Sequence, residues 1–178
     1  TLAAGANAGT VTFGAGTNTL KLGTAAGGAL TVNDTGLATT DVLTITTSAS
    51  ADSGNGKAVT VGGFETVNLS TSTATAKTFG AITINGDPDA AGVNTSATLD
   101  IGGAASFEAA VITVGNTTTG TGTIDASDLT ANFVQTGAAV GATTITGGSG
   151  NDTILGEADL ASTLTGGAGN DAITGGTA

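Results

Sequence analysis

The 178-residue chain contains no cysteine, histidine, methionine, tryptophan, tyrosine or arginine, and a single proline. Each absence removes a class of function. Without histidine or cysteine there is no imidazole base, no thiolate nucleophile and no His or Cys zinc site. The three cations, Lys21, Lys57 and Lys77, give no basic footprint for a phosphate backbone, so no nucleic-acid partner is expected. With no disulfide framework, a metal ion is the remaining staple for a thin extracellular core. No apolar run reaches the roughly 18 residues of a membrane span, so no membrane insertion is expected. The start, Thr1 to Gly5, lacks the basic and apolar regions of a Sec-type signal peptide. That leaves a cytosolic protein, export by another route, or a fragment of a longer chain.

What is present is equally skewed. Threonine (38), alanine (32) and glycine (31) make up more than half of the chain, and 14 acids give a net charge of -11. Leucine, isoleucine, valine and phenylalanine together supply only about a fifth, close to the composition at which disorder becomes the default. The mean hydropathy of +0.30 argues against charge-driven disorder. A thin core of small side chains follows, which suits an elongated protein with a narrow interior.

Helical periodicity is nearly absent; the best attempt is the two-turn stretch 104–110. Short runs of alternating β-branched residues recur instead, at 10–13, 19–22, 30–32, 42–46, 59–61, 67–69, 82–84, 98–101 and 111–114. Gly, Asn, Asp and Ser clusters separate them and supply turn conformations. The fold class is therefore all-β. An irregular β-solenoid and a β-sandwich both fit residues 1–140, and the scarcity of aromatics favours the solenoid.

From residue 141 the pattern sharpens, which sets a boundary between a Thr/Ala/Gly-rich body (1–140) and a distinct tail (141–178). Ile145, Ile154, Leu164 and Ile173 lie 9, 10 and 9 residues apart. The segments 147–155 (GGSGNDTIL) and 166–174 (GGAGNDAIT) both match G-G-x-G-x-D-x-U-x, the calcium-binding nonapeptide of RTX β-rolls. In this pattern six residues turn the chain and three form a strand whose aliphatic residue points inward. Two nonapeptides complete a coil, so the matching segments, 19 residues apart, are expected to stack with one inserted residue absorbed in 156–165. Asp152 and Asp171 would then face one gap. Two carboxylates and glycine-loop carbonyls form the oxygen-only cage that Ca²⁺ takes, whereas Mg²⁺ demands a tighter octahedron. The expected calcium residues are Gly147, Gly148, Ser149, Gly150 and Asp152, with Gly166, Gly167, Gly169 and Asp171. No catalytic residue is expected, and no cofactor besides Ca²⁺.

The other acids read as less specific. On the opposite edge Thr143 occupies the aspartate position; Glu157 and Asp159 could still donate to an ion there, but a solvated loop is the expected reading. Asp87 and Asp89 resemble the start of a D-x-D calcium loop, but Ala91 does not continue an EF-hand pattern. Asp125 and Asp128 lie one turn before the roll, and calcium there is a less favoured reading. Asp34, Asp41, Asp52 and Asp100 read as turn residues and strand-end caps, and Glu65 as a surface position.

The segment 144–177 resembles the RTX β-roll of bacterial proteins exported by type I secretion. Gly62-Gly63-Phe64-Glu65-Thr66-Val67-Asn68-Leu69-Ser70 resembles the G-F-E-T-V-N strand of RTX-bearing surface-layer proteins such as those of Caulobacter crescentus. The Cys-free, Ala/Thr/Gly/Asn-rich body is similar to them also. The resemblance implies a secreted, cell-surface structural protein. Its partners would be copies of itself in a two-dimensional, calcium-held lattice, with cell-surface polysaccharide reached through regions outside this chain. The chain stops inside a repeat with no type I secretion signal after it, so a truncated piece of a longer protein is expected. The alternatives are a calcium-dependent RTX module of a secreted adhesin or enzyme, and an ice-binding β-roll. The latter is suggested by Thr144/Thr146 and Thr163/Thr165, although two rungs make too short an array. Glycosidase chemistry would need only carboxylates, but no Trp or Tyr lines a sugar cleft, so the chain is not expected to be an enzyme.

Overall fold

The computed structural model describes residues 9–22, 28–36, 40–47, 56–71, 75–86, 96–115 and 122–176. Asp52, Asp87 and Asp89 lie outside them. Every regular element among the described residues is a strand. In chain order they are β1 (Gly9–Phe13), β2 (Thr17–Lys21), β3 (Leu30–Asp34), β4 (Val42–Thr46), β5 (Lys57–Gly62), β6 (Thr66–Thr71), β7 (Lys77–Asn85) and β8 (Thr98–Gly103). There follow β9 (Phe107–Val114), β10 (Gly122–Asp125), β11 (Phe133–Gln135), β12 (Ala142–Thr146), β13 (Thr153–Leu155), β14 (Thr163–Thr165) and β15 (Ala172–Thr174).

Odd-numbered strands pair in parallel in one sheet, β1-β3-β5-β7-β9-β11-β13-β15, and even-numbered strands in the other, β14-β12-β10-β8-β6-β4-β2. The chain therefore passes from one sheet to the other at every connection, and each odd–even pair is one coil of a parallel β-solenoid. The sandwich reading is excluded by this order. Both sheets run on across residue 140. The stretch 104–110, the best helical attempt, instead enters β9 at Phe107.

The narrow interior is filled by stacked files of one side chain per coil. In the even sheet Leu43, Val67, Leu99, Ile124, Ile145 and Leu164 stand in register. In the odd sheet Val11, Val32, Val61, Ile84 and Val114 do the same. Phenylalanine contributes more than its number suggests. Phe107 lies between Phe79 at 5.5 Å and Phe133 at 5.9 Å, and all three are buried. Alternate residues point to water, which is why the strands read as half-apolar although the sheets are parallel.

The core thins toward the last coil. Ile154 on β13 is fully buried, whereas its register partner Ile173 on β15 is 47 % exposed. Ile154→Ala is expected to cost about 2–5 kcal/mol, and Ile173→Ala about 1 kcal/mol, because only the first opens a closed cavity. Urea unfolding of the two variants checks this; equal midpoints would mean that both isoleucines pack alike.

Candidate metal centre

The even-to-odd connections 126–132, 147–152 and 166–171 lie along one edge of the solenoid. The strands after them pair at a spacing of 19, Val134 with Thr153 and Thr153 with Ala172. The two nonapeptide loops are thus stacked one coil apart, with the inserted residue taken up in the connection between β13 and β14.

Both position-6 aspartates reach back by one coil. Asp152, 1 % exposed, accepts the Phe133 N–H at 2.8 Å through Oδ1 and the Gly148 N–H of its own loop at 2.7 Å through Oδ2. Asp171, half-buried, accepts the Asp152 N–H at 3.0 Å. Beside this ladder runs a second one, in which Asn132 Oδ1 accepts the Asn151 N–H and Asn151 Oδ1 the Asn170 N–H, both at 2.9 Å. The asparagines at position 5 were not singled out from the sequence. Their signal is the G-N-D triplet shared by 150–152 and 169–171.

The glycines bring oxygen atoms together. A Cβ on Gly147 would collide with the Gly166 carbonyl oxygen and with Asp152 Oδ2, so both oxygens converge on space that only glycine leaves open. One coil on, a Cβ on Gly166 would strike Asp171 Oδ2. The carbonyl oxygens of Gly148 and Gly150 border Gly167 and Gly169 in the same way. Among the glycines of the two nonapeptides, however, positive φ occurs only at Gly167 (98°) and Gly169 (118°). In the first loop glycine serves close approach to 126–132 rather than a left-handed backbone, so the two loops use the same residues differently. Ser149 is exposed and donates its backbone N–H to the Leu129 carbonyl at 3.0 Å.

The expectation that both aspartates face one gap is refined by this geometry. Asp171 spans the gap between the loops, whereas Asp152 is shared between that gap and the preceding coil. No three Asp or Glu side chains among the described residues group as a metal site. A cation here therefore depends on two carboxylates and backbone carbonyls. That donor set is all oxygen, hard and flexible, and it fits Ca²⁺, which takes six to eight such ligands. Asp152, Asp171 and the carbonyls of Gly147, Gly148, Gly150 and Gly166 are the residues that would hold it. The ion would neutralise both carboxylates and tie the last coil to the one before.

The remaining acids fall elsewhere. Glu157, expected in a solvated loop, is 6 % exposed and accepts the Gly141 N–H at 2.5 Å on the opposite edge, while Asp159 is exposed as expected. Asp41, read as a turn cap, is 1 % exposed, and Glu65, read as a surface position, is half-buried and accepts the Asp41 N–H at 2.8 Å. Asp125 caps its own turn, accepting the Ser127 N–H at 3.0 Å, and stands in register with Asp100 on the outer face of the even sheet.

Burial, then the charges of Asp125 and Asp128, raise the Asp100 carboxyl above its ordinary range. A carboxyl raised by the fold disfavours its own ionisation. This contribution favours the fold below the ordinary aspartate range and is lost as pH rises through the raised value. Asp100→Asn is therefore expected to raise the melting temperature slightly at pH 7 and to leave it unchanged in acid. A lower melting temperature at pH 7 would mean that the charge is held by a partner.

Comparison with known proteins agrees with the loop geometry. The RTX calcium-binding nonapeptide repeat (four copies) matches residues 139–159 and 161–177. No curated protein and no solved structure matches the chain. The chain thus carries RTX calcium-binding nonapeptide repeats, which bind Ca²⁺, at the end of an all-strand parallel solenoid.

Proposed function

We propose that this chain is a calcium-stapled structural segment of an extracellular bacterial surface layer, exported by type I secretion and packed against copies of itself in a two-dimensional lattice. The observation that carries the reading is the stack of two nonapeptide loops whose carboxylates and glycine carbonyls converge between coils. Such a site is empty at micromolar cytosolic calcium and filled outside the cell, which suits a chain that is threaded out and then sets. The Gly62–Ser70 resemblance to the surface-layer proteins of Caulobacter crescentus supports the lattice in particular. The calcium-dependent RTX module of a secreted adhesin or enzyme draws equal support from the repeats and differs in what the rest of the parent protein does.

The ice-binding alternative gains length from the fold. Six outward threonines, interrupted only by Val42, form a file across all seven even strands, Thr17, Thr66, Thr98, Thr123, Thr144 and Thr163. The neighbouring file places Asn68, Asp100 and Asp125 at its centre. Adjacent carboxylates hold their own hydration and break the flat array, so the lattice reading is preferred.

The test uses the parent assembly on the cell surface. EGTA should dissolve an ordered layer, and millimolar Ca²⁺, but not Mg²⁺, should restore it. A layer that keeps its order in excess EGTA, or a surface with no layer at all, would overturn the proposal.

A further inference from the structure

A second carboxylate ladder lies far from the nonapeptides, where the odd sheet passes to the even sheet in the first three coils. Asp34 ends β3, Asp41 precedes β4 and Glu65 precedes β6. Glu65 Oε2 accepts the Asp41 N–H at 2.8 Å, and Asp41 Oδ1 accepts the Gly16 N–H. Glu65 and Asp41 again each reach one coil back, at spacings of 24 and 25 residues instead of 19. None of these three residues belongs to a nonapeptide.

The two ladders differ in one respect. Both oxygens of Asp152 are occupied by amide donors. Asp41, 1 % exposed, has only one oxygen so occupied; its Oδ2 is buried with no hydrogen-bond partner, and so is Asp34 Oδ2. Asp34 uses its other oxygen to accept the Gly36 N–H at 3.0 Å. The Asp34 and Asp41 carboxyl groups lie within hydrogen-bonding reach of each other. Two buried acceptors side by side, with no donor between them, require something positive there, since leaving both charged and unpaired in low dielectric is costly. A proton or a cation meets the requirement.

We propose that the Asp34–Asp41 pair, with Glu65 adding charge from the next coil, is a second divalent-cation site that binds Ca²⁺ and staples the first coils as the nonapeptides staple the last. The donors are carboxylate oxygens, the hard ligands that Ca²⁺ takes. A cation would also explain why Asp41 is tolerated in the core: burial pushes its carboxyl up, the Gly16 N–H pulls it down, and Asp34 and Glu65 push it up again. A dication opposes every raising influence at once.

Calcium binding to the whole 178-residue chain, counted by calorimetry and equilibrium dialysis with Ca²⁺ alone, tests this. Asp34→Asn and Asp41→Asn should each lose one bound calcium relative to wild type, and the Asp152→Asn/Asp171→Asn double variant should keep that same ion. Asp34, being half-buried and bonded only within its own turn, carries the test if Asp41→Asn fails to fold. An unchanged calcium count in Asp34→Asn overturns the proposal. So does a melting temperature that Asp34→Asn raises equally with and without calcium, since that outcome identifies a proton shared by the pair. Loss of calcium only in the Asp152/Asp171 variant would likewise place every ion at the nonapeptides.

Discussion

Asp152→Ala is expected to be the most damaging single substitution in the nonapeptide loops, and Asp171→Ala a milder one, although the two residues hold the same place in the repeat. Asp152 satisfies two amides, Phe133 N–H and Gly148 N–H, in a buried setting. Leaving buried donors unpaired costs about 1–3 kcal/mol each, so the loss in EGTA should be on the order of 2–5 kcal/mol. Asp171 satisfies the single Asp152 N–H from a half-buried position, and about 1 kcal/mol is expected there. Both variants should weaken calcium binding at the shared gap, because each leaves one carboxylate among neutral carbonyls. Urea unfolding in EGTA separates the amide contribution from the calcium contribution, which calorimetry measures. Equal losses in EGTA would contradict the two-amide role of Asp152, and unchanged calcium affinity in both would contradict the shared gap.

Calcium itself should set the stability of the last coils. Extracellular modules bind with Kd of roughly 10⁻⁴ to 10⁻³ M. At about 1 mM calcium each such site contributes roughly 0.4–1.4 kcal/mol by mass action, and almost nothing at micromolar calcium. That is a sizeable share of the marginal stability of a thin core. Each ion also cancels two charges of a chain whose net charge is -11, which relieves self-repulsion. Thermal melts followed by circular dichroism should therefore shift upward in millimolar Ca²⁺ and much less in equal Mg²⁺. Identical shifts with the two ions would identify general charge screening in place of a site.

The nonapeptide end of this architecture was legible because its coils are uniform. Thr144 to Thr163 and Thr153 to Ala172 are both 19-residue steps, so aliphatic spacing alone predicted which loops stack. Upstream the same solenoid was hidden by its connections. One coil takes 21 residues from Gly9 to Leu30 and another 32 from Thr66 to Thr98. Hydrophobic alternation finds each strand but cannot register strands across turns of unequal length. The short strands β10 and β11 were missed because Gly122–Asp125 and Phe133–Gln135 each offer too few alternating positions. The site was legible in its ligand types and less so in its geometry. Asp152 faces back toward the amide of Phe133, the first residue after the loop 126–132, which lacks the glycine motif. The buried acids were the largest gap. Nothing local to Asp41 announces burial; its hydrogen-bond partners Gly16 and Glu65 lie 25 and 24 residues away.

Hydrogen exchange of the intact 178-residue chain, followed by mass spectrometry with and without calcium, tests the central claim most directly. If calcium joins the nonapeptide loops, amides in 144–176 should exchange quickly in EGTA and gain strong protection in millimolar Ca²⁺, with no such gain in Mg²⁺. The middle coils around the Phe79–Phe107–Phe133 stack should be protected under both conditions. Protection over 144–176 that is the same in EGTA and in calcium would contradict the account, since the last coils would then hold without the ion.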